Sequence, residues 1–230
     1  MLDLCDFHSH ILPNADHGSS SVSESLAQLR LAMKYGVTRI FATPHFYPHR
    51  DSVSSFLRRR LSSYNQLIEA KPEGYPDIVL GAEVLLCPNI DRLPELDKLC
   101  INGTKTILLE LPFNDFGNEY VYAVEGISAL GYDIVLAHAE CYQREHVEDI
   151  LSISPKIRVQ VNASALVPFF KNRTIEDWKR RKKVVAVGSD IHGEDAKAYK
   201  MFDIAKKKLG EYLPFVVSSC DKIWDSAIII

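Results

Sequence analysis

Hydrophobic and polar positions follow two alternating patterns along this chain. Short, uniformly apolar runs indicate buried strands, and longer stretches with apolar residues three or four positions apart indicate amphipathic helices. The first helix is predicted from Ser23 to Tyr35. Leu26, Leu29 and Met33 share one of its faces. The chain therefore begins as a strand followed by a helix, and this unit recurs.

The recurrence accounts for nearly the whole chain. Strands are predicted at residues 2–7, 39–42, 78–82, 106–109, 133–137, 158–161 and 184–187, and helices at residues 23–35, 53–70, 119–130, 144–151, 175–181 and 195–209. Strands that are apolar throughout and alternate with helices are typical of a parallel sheet covered on both faces. About seven such units predict an α/β fold whose sheet closes into a TIM-like barrel, with an open doubly wound sheet as the alternative.

Composition fits a single domain over residues 1–230, because 47% hydrophobic residues are enough to bury a full core. The formal net charge of -3 carries no electrostatic signature of a nucleic-acid partner. Two basic runs, residues 58–60 and 179–183, are interpreted as solvated helix faces. The start of the chain lacks a signal peptide and no apolar run approaches about 18 residues. We therefore expect a cytoplasmic protein without a membrane span.

Polar residues stand where the predicted strands end. Those that can bind a metal are His8, His10, His45, Glu83, Glu110, His138, Asp190 and His192. In a parallel barrel the carboxyl ends of all strands meet at one mouth, where active sites lie. One histidine after a strand is more often a packing or surface residue, but the whole set indicates a multinuclear metal centre.

The types of donor atom narrow the chemistry. His8 and His10 form an H-x-H pair whose imidazoles lie on the same side of an extended segment, which lets both bind one metal. Glu83 and Glu110 follow apolar strands, where a buried carboxylate needs a cation or hydrogen bonds to offset its desolvation. Mixed nitrogen and oxygen donors without thiolate suit Mn²⁺, Fe²⁺ or Zn²⁺. Such metals make hydroxide from bound water near neutral pH, and phosphoester hydrolysis fits best.

Several short motifs occur in order over nearly the whole chain. They are Asp6-Phe-His-Ser-His-Ile-Leu-Pro-Asn-Ala-Asp-His-Gly18, Thr43-Pro-His45, Gly81-Ala-Glu83, Leu108-Leu-Glu-Leu-Pro112, Ala137-His-Ala-Glu140, Val159-Gln-Val-Asn162 and Gly188-Ser-Asp-Ile-His192. Together they resemble the motifs of the PHP superfamily of metal-dependent phosphoesterases. Within it, the chain is similar to the bacterial manganese-dependent protein-tyrosine phosphatases of capsular and exopolysaccharide gene clusters.

This resemblance implies a fold, a cofactor and a substrate. The fold would be a distorted (β/α)7 barrel, and the cofactor three divalent metal ions, with manganese preferred over iron or zinc. The substrate would be phosphotyrosine, on the tail of a bacterial tyrosine kinase that controls polysaccharide chain length. The oligomeric state stays open.

Carried over by position, the resemblance also assigns the ligands. His8, His10, Glu83 and Asp190 would hold one metal, Glu83, Glu110 and His138 a second, and His17, His45 and His192 the third. Asp190 and His192 would in addition serve catalysis, together with metal-bound hydroxide.

Departures from the family pattern concern the third metal and the phosphate. The family loop after the first strand reads Asp-Asp-Gly, whereas this chain has Asp16-His17-Gly18. Either His17 or Asp16 would therefore supply the third-site ligand, and imidazole suits the same metals. Cys141 replaces the arginine that follows the Ala-His-x-Glu motif, and the Arg-Pro-Pro segment expected after His192 is missing.

Other basic residues are candidates to bind the phosphate in place of these arginines. They are Lys197, Arg50 and Arg144; a lysine would lack the bidentate fork of arginine. Cys141 is not expected to be a nucleophile, because the phosphate-binding loop of cysteine-dependent phosphatases is absent around it.

Two other functions stay open. One is a PHP phosphatase for a small phosphomonoester such as histidinol phosphate or a nucleotide. The other is a noncatalytic regulator that keeps the metal centre and binds a kinase. The apolar finish, residues 227–230, is expected to pack on the barrel, with a dimer contact as the alternative.

Overall fold

The computed structural model describes residues 4–113, 116–168, 172–193, 195 and 197–230. Within these residues the chain forms nine short strands: β1 (Asp6–Ser9), β2 (Arg39–Ala42), β3 (His45–Phe46), β4 (Asp77–Leu80), β5 (Glu83–Leu85), β6 (Thr106–Glu110), β7 (Asp133–Leu136), β8 (Arg158–Asn162) and β9 (Val184–Gly188). Eight α-helices accompany them: α1 (Val22–Lys34), α2 (Val53–Ala70), α3 (Asn118–Ala129), α4 (Arg144–Ile153), α5 (Ala163–Leu166), α6 (Arg173–Arg180), α7 (Ala198–Leu209) and α8 (Leu213–Ser226).

The described strands follow one another around a barrel in chain order. β2 and β3 form one interrupted strand, as do β4 and β5, and the parallel ladders run β1-β2-β4 and β3-β5-β6-β7-β8-β9. Two backbone hydrogen bonds join the last strand to the first: Asp190 N–H donates to His8 O at 2.8 Å, and His10 N–H donates to Ile191 O at 3.2 Å. A doubly wound sheet would instead reverse its strand order partway. The predicted barrel is confirmed.

Two interruptions distort the barrel. β2 and β3 are separated at Pro44, which has no N–H to continue a ladder. β4 and β5 are separated at Gly81, where a Cβ atom would lie 2.6 Å from Ile101 Cδ1. The sequence pattern did not predict β3 and β5, because they are only two and three residues long. Each begins with a polar residue, His45 or Glu83, that the pattern treats as a strand end.

The other predicted elements agree with the observed ones to within a few residues at each end. β1 begins at Asp6 rather than Leu2, because the ladder with β2 starts where Asp6 pairs with Ile40. Residues 2 and 3 of that predicted strand lie outside the described residues. The final predicted helix begins at Ala198 rather than Asp195, and residue 196 is also outside the described part.

The connection between β5 and β6 lacks an α-helix. Residues 86–105, all described, form two short 3-10 turns, Ile90–Arg92 and Leu96–Leu99, where the other crossovers have an α-helix. On α2, beside this connection, the side chain of Arg60 is only 7% exposed. The interpretation of residues 58–60 as a solvated face is therefore wrong for Arg60, although Arg58 is exposed.

The last residues of the chain cross the same region. Ile228 N–H donates to Asn102 O at 2.9 Å, and the Tyr64 hydroxyl donates to Ile230 O at 2.9 Å. The main chain thus docks on the barrel, while the side chains of residues 228–230 are more than half exposed.

Helices cover the outer face of the barrel with large apolar side chains. Trp178 on α6 and Tyr199 on α7 are fully buried, and such aromatic residues dominate the apolar area that a core removes from water. Trp178 also donates its indole N–H to Glu148 at 2.9 Å, which ties α6 to α4. No helix in the described ranges is long and apolar enough to cross a membrane.

Candidate metal centre

The structure brings the predicted strand-end residues together at one mouth of the barrel. Within the described residues, four groups of three side chains have ligand atoms that all lie within 4.8 Å of one another. They are His8 with Glu83 and His138, His8 with His10 and Asp190, His45 with Glu83 and Glu110, and His10 with His45 and His192. All eight strand-end residues chosen from the sequence belong to at least one group.

The carboxylate of Glu83 lies at the centre of these groups. Its Oε2 is 2.9 Å from His45 Nδ1, 3.1 Å from His8 Nε2 and 3.3 Å from His10 Nε2. Its Oε1 is 2.8 Å from His138 Nε2. The side chain is fully buried. Burial alone would raise the pKa of Glu83, but the surrounding imidazoles outweigh it and hold that pKa well below its usual value.

The remaining donors surround this centre. Asp190 Oδ1 is 3.4 Å from His10 Nε2 and 3.7 Å from His8 Nε2. Glu110 Oε2 is 3.6 Å from His45 Nδ1. The ring of His192 stacks on that of His10 with centroids 4.0 Å apart.

Four of the histidines share one arrangement of their ring nitrogens. In each, Nδ1 is hydrogen bonded to a protein oxygen, so Nε2 is the nitrogen that a metal would take, and this is how proteins orient imidazoles that bind metals. The partners of Nδ1 are Gln160 Oε1 for His8 (3.1 Å), Asp16 Oδ2 for His10 (2.6 Å), the Tyr142 hydroxyl for His138 (3.1 Å) and Asp190 O for His192 (3.0 Å).

Unsatisfied atoms inside the cluster fit bound cations. Glu83 Oε2, Glu110 Oε2 and His45 Nδ1 are buried and have no hydrogen-bond partner among the described residues. A buried carboxylate oxygen without a partner is costly unless a cation compensates it. Mixed imidazole and carboxylate donors suit first-row divalent metals. The residues present therefore fit more than one metal ion.

Both carboxylate oxygens of Asp16 are engaged in hydrogen bonds that position its neighbours. Besides the bond to His10, its Oδ2 accepts the backbone N–H of His45 at 2.9 Å, and its Oδ1 accepts that of Gly18 at 2.8 Å. The adjacent His17 is exposed and lies in none of the four groups. Its ring stacks on His45 and His192 with centroids 4.7 and 4.8 Å apart. Of the two candidate third-site ligands, His17 is therefore the one whose ring nitrogens make no hydrogen bond to the residues that the structure describes.

Strand β8 contributes no member of the four groups, but it orients residues that do belong to them. Gln160 is fully buried, and its Oε1 accepts the N–H of His138 at 2.7 Å in addition to His8 Nδ1. Its amide nitrogen donates to Asn162 Oδ1 at 2.9 Å, and Asn162 Nδ2 donates to Asp190 Oδ2 at 2.9 Å. This positioning role of Gln160 and Asn162 was not predicted from the sequence. The available signal was two amide side chains at alternate positions of an apolar strand, which places both on one face.

Two of the clustered residues adopt left-handed backbone conformations. The φ angles are 30° at His138 and 51° at Asp190, and such values are uncommon for residues other than glycine. The N–H of each is held by a hydrogen bond, from His138 to Gln160 and from Asp190 to His8 O. Local strain of this kind persists where surrounding structure enforces it, often at functional sites.

The three predicted phosphate-binding residues differ in their surroundings. The guanidinium of Arg50 lies 5.1 Å from the ring of Tyr47, which in turn stacks on His45 at 5.0 Å. Arg144 instead donates to Asp177 at 3.1 Å, on the outer face of the barrel. Lys197 is exposed at the start of α7, and no described contact links its side chain to the cluster. Only Arg50 is connected to the centre through ring contacts.

Aromatic side chains also border the mouth beside His138. The ring of Phe113 is 68% exposed and lies 6.4 Å from His138, with an interplanar angle of 11°. It also packs on Tyr142 at 5.2 Å. Because Glu83 contacts both His45 and His138, Tyr47 and Phe113 flank the cluster from two sides.

A parallel barrel with imidazole and carboxylate donors converging at its carboxyl mouth defines a class of protein, the metal-dependent barrel hydrolases. Comparison with protein families identifies the group within that class. Residues 4–214 match the family described as capsular polysaccharide synthesis, CpsB/CapC. The chain belongs to this family, and the resemblance found in the sequence motifs is confirmed.

Relatives are similar over most of their length. The tyrosine-protein phosphatase YwqE of Bacillus subtilis is 24% identical, over 94% of this chain and 89% of its own. The tyrosine-protein phosphatase CpsB of Streptococcus pneumoniae is 26% identical, over 90% of this chain and 91% of its own. A crystal structure from work on these two metal-dependent tyrosine phosphatases covers 99% of this chain and 96% of its own, with a TM-score of 0.75 and 21% identity.

Replacement of Gln160 by leucine tests the role of β8. Leucine keeps a similar volume but removes the acceptor of His8 Nδ1–H and of His138 N–H, so both ligands lose their fixed orientation. We expect Mn²⁺ affinity, measured by isothermal titration calorimetry, to fall about 10- to 100-fold. Gln66→Leu, an exposed position on α2, is the matched control and should leave affinity unchanged. Equal affinities for the two variants would contradict the positioning role.

Proposed function

We propose that this protein is a metal-dependent phosphatase that hydrolyses phosphotyrosine in proteins of capsular or exopolysaccharide synthesis. The observation that carries the proposal is the buried Glu83 carboxylate, which has an unsatisfied oxygen and is surrounded by four imidazoles. Family membership supports the substrate class, because the relatives are tyrosine-protein phosphatases.

The proposed ligand sets overlap at Glu83. His8, His10, Glu83 and Asp190 would hold one ion, and Glu83, Glu110 and His138 a second. His45 and His192 would hold a third together with His17, which could turn toward them from its exposed position in the loop. His45 Nδ1 also faces Glu83 and Glu110, so it could be shared between sites. Manganese is the proposed metal, with iron and zinc as competitors.

When bound, these ions would supply Lewis acidity toward a phosphoryl oxygen and lower the pKa of a coordinated water. The chain itself prepares the surroundings. Asn162 fixes one oxygen of Asp190, so that the other faces His8 and His10. His192 is held by its bond to the carbonyl of Asp190 and is partly exposed at the mouth. We therefore propose Asp190 and His192 as the catalytic residues, which would face a phosphate that enters the mouth.

Arg50 is the proposed phosphate-binding residue, because it lies over Tyr47 beside the metal centre. Tyr47 and Phe113 would flank the phenyl ring of the substrate. Lys197 would add a cation from the start of α7, whereas Arg144 is already paired with Asp177. Cys141 is unsuited to nucleophilic attack, because burial and nearby carboxylates raise the pKa of its thiol to about 11.

The proposed partner is the phosphotyrosine tail of a bacterial tyrosine kinase, met in the cytoplasm. A flexible phosphorylated tail could enter the mouth where the metal centre lies, whereas a phosphotyrosine within a folded domain would be harder to present. A small phosphomonoester could use the same metal centre without needing the aromatic border.

Phosphate release from a phosphotyrosine peptide tests the function. We expect protein reconstituted with Mn²⁺ to release phosphate, and a chelator to abolish release. His192→Ala should lower kcat/KM more than about 100-fold, because even partners of metal ligands cost 10- to 100-fold. His146→Ala is the matched control, since His146 stacks on Phe116 away from the cluster.

The competing functions give different results in the same assay. Release from histidinol phosphate or a nucleotide but not from the peptide would contradict the proposed substrate and keep the metal chemistry. No release from any of these substrates, with Mn²⁺ bound, would favour the noncatalytic regulator.

Replacement of Arg50 tests the proposed phosphate contact. Arg50→Met removes the guanidinium, and we expect KM for the peptide to rise about 10- to 100-fold while kcat changes little, because a charge-assisted hydrogen bond of this kind contributes about 1.5–3 kcal/mol. Arg144→Met should leave KM unchanged, since that guanidinium is engaged with Asp177. A rise in KM for Arg144→Met but not for Arg50→Met would indicate that Arg144, rather than Arg50, binds the phosphate.

A further inference from the structure

A cavity of about 530 Å³ lies on the flank of the barrel, between helix α2 and the connection from β5 to β6. It occupies the region where the other crossovers place an α-helix and this one has 3-10 turns. None of its lining residues belongs to the metal centre. Its volume is in the range of small-molecule binding sites in proteins.

The most unusual residue of the cavity is Arg60. Its side chain is 7% exposed. Nη1 donates to Gly81 O at 2.7 Å, and Nη2 is 3.4 Å from Lys98 O. Nε is buried and has no hydrogen-bond partner among the described residues. Burial alone lowers the pKa of the guanidinium to about 10, with no contribution from a carboxylate.

Arg60 therefore lacks a counter-charge in the described structure. The only other cation that lines the cavity, Lys98, lies 3.3 Å from Asp97, which also lines it. The described contacts of the Arg60 guanidinium are two backbone carbonyls and the ring of Phe56, whose centroid is 5.3 Å from the guanidinium carbon, and none of them carries a negative charge. A buried charge that is not compensated is costly, so an anion that reached the guanidinium from the cavity would stabilise it.

The rest of the wall is largely apolar. Leu57 and Leu80 line the cavity, together with three side chains that are unusually exposed: Leu61 at 42%, Ile228 at 59% and Ile230 at 64%. Apolar side chains left in water beside a buried cation favour a ligand with both characters. A purely polar anion would leave these apolar side chains exposed. A neutral apolar molecule would leave the Arg60 guanidinium without a negative charge beside it.

We infer that this cavity binds a small amphipathic anion, whose carboxylate pairs with Arg60 and whose apolar body covers Leu57, Leu61 and Ile228. The site is separate from the metal centre and does not depend on the proposed phosphatase activity. Arg60 connects the two only through Gly81, two residues before Glu83.

Binding of sodium octanoate to the Mn²⁺-loaded protein tests this inference. We expect saturable binding by isothermal titration calorimetry at millimolar concentration or below, and much weaker binding of the neutral analogue octanol. Arg60→Met should lower octanoate affinity at least about tenfold, because it removes the charged partner and keeps the apolar stem. Arg58→Met, an exposed arginine on the same helix, should bind like the wild type.

Three results would overturn the inference. They are no saturable binding to the wild type, equal binding of octanol, or equal binding by Arg60→Met. Equal binding by Arg60→Met would also indicate that the carboxylate of octanoate binds at the metal centre instead. If Arg60→Met does not fold, Leu61→Trp serves in its place. The larger ring would fill the cavity from its exposed edge and should block octanoate, and undiminished binding by this folded variant would count against the site.

Discussion

The contact of one buried carboxylate with four imidazoles governs the whole mouth of this barrel. Glu83 begins the short strand β5, and its two oxygens lie within 3.3 Å of ring nitrogens of His8, His10, His45 and His138. His8 lies on β1 and His10 directly follows it, whereas His45 begins β3 and His138 follows β7. Three parts of the barrel therefore meet at this one carboxylate. Without a cation, Glu83 Oε2 would be buried beside these rings with no hydrogen-bond partner among the described residues. The physical constraint is therefore charge compensation, and divalent metals satisfy it.

Two strand breaks and the seam of the barrel place residues around Glu83. The break at Pro44 and the break at Gly81 divide two strands so that His45 and Glu83 pair directly across the ladder. At the seam between the last strand and the first, Asp6 accepts Ser189 N–H at 2.7 Å and the Ser189 hydroxyl at 2.6 Å. This anchors the turn that carries Asp190. Ligands, seam and strand breaks are thus parts of one arrangement.

The sequence was sufficient to predict the strand order and the clustering of the strand-end residues, but not the residues that support this cluster. Histidines and carboxylates at the ends of apolar runs are visible as interruptions, and parallel topology alone brings them to one edge. Gln160 was not recognised because a buried amide looks the same in sequence whether it supports a strand or a ligand. Arg60 was assigned to solvent, because its neighbours in sequence are arginines, but its guanidinium is buried against the carbonyls of Gly81 and Lys98, which lie far from it in sequence. Contacts between residues that are far apart in the sequence leave no pattern in the residues around Arg60.

Anomalous X-ray scattering from crystals of the Mn²⁺-loaded protein would show whether Glu83 organises a multinuclear metal centre. We expect two or more manganese peaks at the mouth of the barrel, with the Glu83 carboxylate contacting at least two of them. A single peak, or peaks that do not contact Glu83, would contradict a multinuclear centre organised by this residue.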